Sequence, residues 1–273
     1  MIGGTEISLV IADLDVGLIF VFAISSLATY GTVIAGWASN NEWSLLGSLR
    51  AGAQMISYEV TMGLTLVGVF MVYGSLRLTD IGAAQANVFE WGIILQPLGF
   101  LMFLTCAIAE TKRAPFDVAE AESEPIAGYF LEYSGMKFGL FLAAEYAAML
   151  GWAAVVTTVF LGGWKPDTGG PLWWLLKTLA VVFIFFWFRG TWPRVRIDQI
   201  LGLAWKVLFP LATLNILVTA GEVLAVQEIY DLTPGEALPI AALVPMAAVN
   251  IGLTILTLLA LSKLLRPHIQ PNL

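Results

Sequence analysis

Residues 137–162 read KFGLFLAAEYAAMLGWAAVVTTVFLG. A bilayer core about 30 Å thick is crossed by roughly 20 apolar residues in a helix. This run meets that length with a single charged side chain, Glu145, beyond Lys137. Glu145 lies eight residues past Lys137, which at 1.5 Å per residue is roughly 12 Å along a helix. A two-carbon stem is too short to carry its carboxylate back to the interface. Because a carboxylate in hydrocarbon costs several kcal/mol and is kept for ion or proton handling, the run predicts a membrane helix whose acid faces a polar interior.

The same kind of run recurs along the chain. Of 273 residues, 59% are hydrophobic and 12% charged, and the mean hydropathy is +0.84. Breaks at polar, Gly and Pro clusters divide the sequence into seven spans, about 11–36, 55–76, 89–109, 137–162, 172–190, 205–227 and 238–262. These runs are long, continuous and rich in Leu, Ala, Gly and Phe, whereas the strands of a membrane barrel alternate over short segments. The expected fold is all-α: a polytopic integral membrane helical bundle forming a single domain over residues 1–273.

Lys and Arg fall mainly on one side of this bundle. Loops 37–54, 110–137 and 189–206 and the C-terminal tail hold Arg50, Lys112, Arg113, Lys137, Arg189, Arg194, Arg196, Lys206, Lys263 and Arg266. The other side has Arg77, Lys165 and Lys177. The positive-inside rule makes the first side cytoplasmic, with the N-terminus outside and the C-terminus inside. Trp37, Trp43, Trp164, Trp173, Trp174, Trp192 and Trp205 fall near expected span ends, where indoles anchor at the interface. No basic n-region precedes the first apolar run, so Met1 to Val10 does not read as a cleaved signal peptide.

Composition excludes several functions. One cysteine, Cys106, and one histidine, His268, supply neither a thiolate cluster for iron and sulfur nor a histidine pair for a membrane haem. Cys106 reads as a small packing residue and His268 as a solvated tail residue. A net charge of -7 argues against a nucleic-acid partner. The arginines of loop 189–206 have two readings: orientation in the membrane, or attraction of an acidic partner or phospholipid headgroups.

The few acids are unevenly placed. Glu110, Asp117, Glu120, Glu122, Glu124 and Glu132 share one stretch between two apolar segments. Pro115 and Pro125 bracket its centre, which predicts a partly irregular loop. Within it, Ala114-Pro115-Phe116-Asp117 sets a rigid turn, an aromatic ring and a carboxylate beside Lys112 and Arg113. Glu59 sits early in the second span, Glu110 closes the third, and Glu145 lies within the fourth. Three acids near one face suggest a hydrated path for protons. The plainer alternative ties each carboxylate to a helix end or a basic neighbour.

Ala109 to Phe141, with Gly36-Trp37-Ala38-Ser39-Asn40-Asn41 and Gln54-Met55-Ile56-Ser57-Tyr58-Glu59, resembles the H-subunit family of the proton-pumping NADH:quinone oxidoreductase, respiratory complex I. The resemblance extends over nearly the whole chain. It implies a subunit at the junction of the membrane and peripheral arms, whose cytoplasmic loops help form a quinone chamber and which holds a funnel of glutamates. By motif, Glu59, Glu110 and Glu145 fall in the proton path. Asp117, Glu120, Glu122 and Glu124 fall in the loop that lines or couples the quinone cavity, with Arg113 and Phe116 shaping it.

The resemblance further implies that quinone is the substrate and that this chain binds no cofactor of its own. FMN and iron-sulfur clusters belong to partner subunits, so the chain is part of an enzyme without a complete active site. Its partners would be the other membrane and peripheral subunits, lipid and quinone, in an energy-transducing membrane such as the bacterial inner (plasma) membrane. The family begins with two further spans that these 273 residues lack, and a complete quinone tunnel is not expected here. A late gene start, a truncation or a separate polypeptide would each account for the difference. Two alternatives carry other functions: the corresponding subunit of a membrane-bound hydrogenase, and a free-standing proton-coupled carrier, against which the absence of an evident inverted repeat counts.

Overall fold

The structure, a computed structural model, describes residues 13–117, 128–164, 170–231 and 239–264. In chain order the helices are α1 (Gly17–Ala38), α2 (Glu42–Tyr73), α3 (Leu78–Ala84), α4 (Gly92–Leu95), α5 (Pro97–Glu110), α6 (Met136–Phe160), α7 (Gly170–Thr191), α8 (Ile197–Leu203), α9 (Phe209–Tyr230) and α10 (Ile240–Leu264). Short 3₁₀ turns stand at Val88–Glu90 and Gly128–Phe130, and a π-helical turn, Ala204–Leu208, joins α8 to α9. The described residues contain no strand. Among them, six helical segments are long and apolar enough to cross a membrane: α1, α2, α6, α7, the continuous α8–α9 and α10. α5 is a shorter apolar helix.

Three boundaries differ from those expected. The stretch 37–54, expected as a loop, is largely helix because α2 begins at Glu42. Asn41 caps it, its side chain accepting from the Trp43 amide at 3.0 Å, and Glu42 places an acid in the first turn. Ser44, Ser48 and Gly52 depress the hydropathy of this segment, yet all three are buried against neighbouring elements. At the other basic loop, α7 runs to Thr191 and α8 begins at Ile197, leaving residues 192–196 between them.

The third span is broken. Pro97 has no amide hydrogen, and the residue before a proline is pushed out of the helical region. Gln96 accordingly takes φ -135 and ψ 62, and α4 and α5 are separate helices.

α2 is the central element, packed against α1, α5 and α9. Its Tyr58, Met62 and Val69 are fully buried with Phe103 and Cys106 of α5 and Phe160 of α6. Cys106 is thus a packing residue, while His268 lies outside the described residues. Ahead of α1, Asp13 pairs with Arg77 and accepts from Thr79 at 3.1 Å. The Arg77 guanidinium holds the Asp13 carboxyl below its usual range.

The short helices between α2 and α5 are held by one amide. Gln85 donates through Nε2 to the carbonyls of Thr158 (3.2 Å) and Val159 (2.9 Å), and its Oε1 accepts from the amides of Gly92 (3.3 Å) and Gly162 (2.8 Å). Gln85→Leu keeps the volume and strands both amides, each worth about 1–3 kcal/mol when buried unpaired. The variant is expected to lose at least roughly 2 kcal/mol of stability by that measure, seen as a lowered thermal midpoint in detergent. An unchanged midpoint would show that this amide carries no such role.

Candidate functional site: an acidic cavity at the end of α5

α5 ends at Glu110, and the chain turns through Lys112 (φ 53) into an irregular segment carrying Arg113, Phe116 and Asp117. Gln54 of α2 holds this turn, its Nε2 donating to the carbonyls of Ala109 at 2.8 Å and Phe116 at 2.9 Å. The Phe116 ring lies 5.6 Å from that of Tyr58, whose hydroxyl donates to the Ile200 carbonyl at 3.0 Å. The Val195 amide donates to the Pro115 carbonyl at 3.1 Å. On the other flank Asn41 donates to Glu132 at 2.7 Å, and the Ser44 hydroxyl donates to the Tyr129 carbonyl at 2.8 Å. Loops distant in sequence are thereby joined at one end of the bundle.

Arg113 turns inward to α6. Its Nε lies 2.5 Å from Oε1 of Glu145, with the side chains 3% and 13% exposed. The guanidinium also lies 4.3 Å from the centre of the Tyr146 ring and 5.6 Å from that of Phe186. An arginine suits such a place because its flat, weakly hydrated cation stacks on rings while facing a carboxylate. The contact is an ion pair rather than a hydrogen bond: Arg113 Nε and Nη1 are both buried without a hydrogen-bond partner among the described residues.

Glu110 and Glu145 line one cavity of about 480 Å³ bounded mainly by α1, α6 and the end of α5. Lys112 stands on its wall, its Nζ donating to Thr32 Oγ1 at 3.0 Å and to the Tyr129 hydroxyl at 3.2 Å. The remaining wall is largely apolar, with Val21, Ile24, Phe141 and Trp152. Oε2 of Glu110 is buried and has no hydrogen-bond partner among the described residues. Glu59 is half-buried on α2 and is not among the residues lining this cavity. The site therefore combines two acids and a lysine in a mostly apolar chamber large enough for water or a small organic group, with Arg113 paired to Glu145 from outside its lining.

Of the residues singled out by sequence, Glu110 and Glu145 come together on one cavity and Arg113 pairs with Glu145, while Glu59 does not line that cavity. Phe116 packs beneath the loop, and Asp117 is half-buried beside it. Glu120, Glu122 and Glu124 lie outside the described residues. Sequence reasoning missed Gln54, Thr32 and Tyr129, whose hydrogen-bond partners lie up to 85 positions away in the chain; their residue types alone are ordinary for a helix or loop. It also missed a buried amide knot deeper in the bundle. Gln96 donates to Thr219 Oγ1 at 2.7 Å and accepts from Asn215 Nδ2 at 3.2 Å, all three being at most 1% exposed. A Cβ on Gly68 would sit 2.5 Å from Gln96 Oε1, so α2 approaches this knot only through a glycine. Among the described residues no three His, Cys, Asp or Glu side chains converge as a metal site.

A family model described as NADH dehydrogenase matches residues 2–220. The chain belongs to the NADH dehydrogenase family. Among curated proteins, an NADH-quinone oxidoreductase H subunit of Geobacter sulfurreducens is 55% identical over 217 residues, covering 79% of this chain and 65% of its own length. The NADH-quinone oxidoreductase H subunit of Geobacillus kaustophilus is 51% identical over 214 residues, covering 77% of this chain and 64% of itself. The Bacillus thuringiensis protein of that name is 49% identical over the same coverage. The chain thus spans less than two thirds of the length of these relatives. The NADH dehydrogenase match includes Glu59, Glu110, Arg113 and Glu145, and ends before Glu222 and α10.

The ion pair sets a test of energetics in this NADH dehydrogenase family member. Removing one partner of a buried pair costs about 3–5 kcal/mol because the other charge is left uncompensated, whereas apolar replacement of both is often neutral. Arg113→Met alone is expected to lower the thermal midpoint sharply, and Arg113→Met with Glu145→Met to recover most of the loss. A double variant no more stable than the single one would show that the two groups are not energetically coupled.

Proposed function

We propose that the chain is the membrane-arm coupling subunit of a bacterial NADH:quinone oxidoreductase, in the inner membrane with its basic loops on the cytoplasmic side. The observation that carries this is the placement of Glu110 and Glu145, from two helices, on one cavity, with Glu145 paired to Arg113 of the adjoining loop. The relatives are named as NADH-quinone oxidoreductase subunits, which supports a reaction between NADH and a quinone. A quinone at the loop accepts two electrons from an iron-sulfur cluster of a neighbouring subunit and two protons, giving quinol. NADH and FMN are handled by other partner subunits.

In this reading the loop is the sensor and the ion pair is the relay. Negative charge developing at the quinone attracts the Arg113 guanidinium and loosens its hold on Glu145. An unpaired carboxylate in apolar surroundings is costly, so Glu145 takes a proton, which Glu110 and Glu59 exchange in turn. Lys112, fixed by Thr32 and Tyr129, keeps a positive charge on the cavity wall while the acids change state. Asp117, Glu120, Glu122 and Glu124 belong to the quinone-facing or coupling part of the same loop, and Phe116 sets its shape against Tyr58.

Glu145→Gln in the assembled complex separates chemistry from coupling. NADH-driven quinone reduction is expected to stay near the wild-type rate while proton translocation per NADH falls several-fold in inverted vesicles. Unchanged values for both would remove Glu145 from the path. Purification adds a second check: the chain is expected to travel with hydrophobic and cluster-bearing partners, and a stable homo-oligomer free of them would favour a carrier instead.

A further inference from the structure

Another acid lies within the membrane-crossing part of the bundle, at the other end of α5 from Glu110. Oε2 of Glu222, on α9, accepts from Asn250 Nδ2 of α10 at 2.7 Å, and Asn250 is 1% exposed. Asn215, Thr219 and Glu222 follow one another at intervals of four and three, so they share one face of α9 over roughly 10 Å. The first two are bound to Gln96 in the amide knot. The polar groups thus form a line from the break between α4 and α5 to the contact of α9 with α10.

This line is incompletely satisfied, and in one sense only. Glu222 Oε1, Asn250 Oδ1 and Asn215 Oδ1 are buried and have no hydrogen-bond partner among the described residues. All three are acceptors. Among the described residues Glu222 makes no ion pair, and the hydrogen bond its side chain accepts comes from Asn250. Three acceptors with no matching donor are costly in a purely structural contact. They are met when O–H groups enter, from water or from a proton on the carboxyl itself. Asn250 suits both states of that carboxyl: its Nδ2 donates to the carboxylate, and after an amide flip its Oδ1 accepts from the carboxyl O–H.

We propose that Glu222, with Asn250, Asn215, Gln96 and Thr219, is a second proton-binding station in the membrane, loaded through water held by the unpartnered oxygens. A proton passes from a hydronium ion to Glu222 Oε1, one O–H bond breaking as another forms, and release reverses the step with no redox change. The station is separate from the cavity of Glu110 and Glu145 and stands whether or not the quinone-coupling reading does. Glu222 and Asn250 lie beyond the residues matched by the family model, while Gln96, Asn215 and Thr219 lie within them.

Infrared difference spectra of the full chain in phosphatidylcholine vesicles, recorded across a pH titration in H2O and D2O, test this directly. The expected result is a deuterium-sensitive carboxyl C=O band that disappears in Glu222→Gln, shifts in Asn250→Leu and persists in Glu145→Gln. Should Glu222→Gln fail to fold, Glu222→Asp is expected to move the band. Superimposable spectra for the wild type and the Glu222 variant, or a band indifferent to Asn250→Leu, would overturn the proposal.

Discussion

Hydrocarbon offers polar groups no hydrogen bonds, so each one carried into this bundle has to find its partner within the protein, and the Arg113–Glu145 contact is where that demand shapes the chain most. Glu145 sits well inside a helix that is otherwise apolar. Its counter-charge comes from the far side of a sharp turn after α5, braced by Gln54 and by the packing of Phe116 on Tyr58. The same turn delivers Glu110 and Lys112 to the cavity, so a requirement of stability and a candidate functional site share one piece of backbone.

Other polar side chains meet the same demand by serving the backbone. Gln85 binds five main-chain groups, the carbonyls of Ile81, Thr158 and Val159 and the amides of Gly92 and Gly162, where α3, α4 and the end of α6 converge. Lys177 donates to the Leu161 carbonyl at 2.5 Å and lies 4.4 Å from the Trp91 ring. These contacts allow irregular backbone around Pro97 and Gly162 without leaving amides stranded, because side chains replace the helical bonds that the breaks remove. Where donors and acceptors balance, as at Gln85, the group is structural. Where acceptors are in excess, as around Glu222, the imbalance points to protons or water.

Much of the architecture is legible residue by residue. The 26-residue run around Glu145 announces a span, and α6 occupies Met136–Phe160. α7, α9 and α10 likewise coincide with expected apolar runs, since the length needed to cross a bilayer is a property of local composition. The start of α2 escapes such reading because Ser44, Ser48 and Gly52 look polar or flexible in isolation, whereas in the bundle they let α1 come close. The break at Gln96-Pro97 is written in the chain, but it is hidden within a run whose average hydropathy stays high.

Composition and local order are enough to make the chain an all-α membrane bundle, to say which acids lie among its helices and to show which family motifs surround them. They do not say that Arg113 answers Glu145, that Glu110 shares a cavity with Glu145, or that Glu222 meets Asn250. Each of these is a contact between segments separated by tens of residues. The choice among possible partners is made by how the helices pack, which no local pattern of residues encodes.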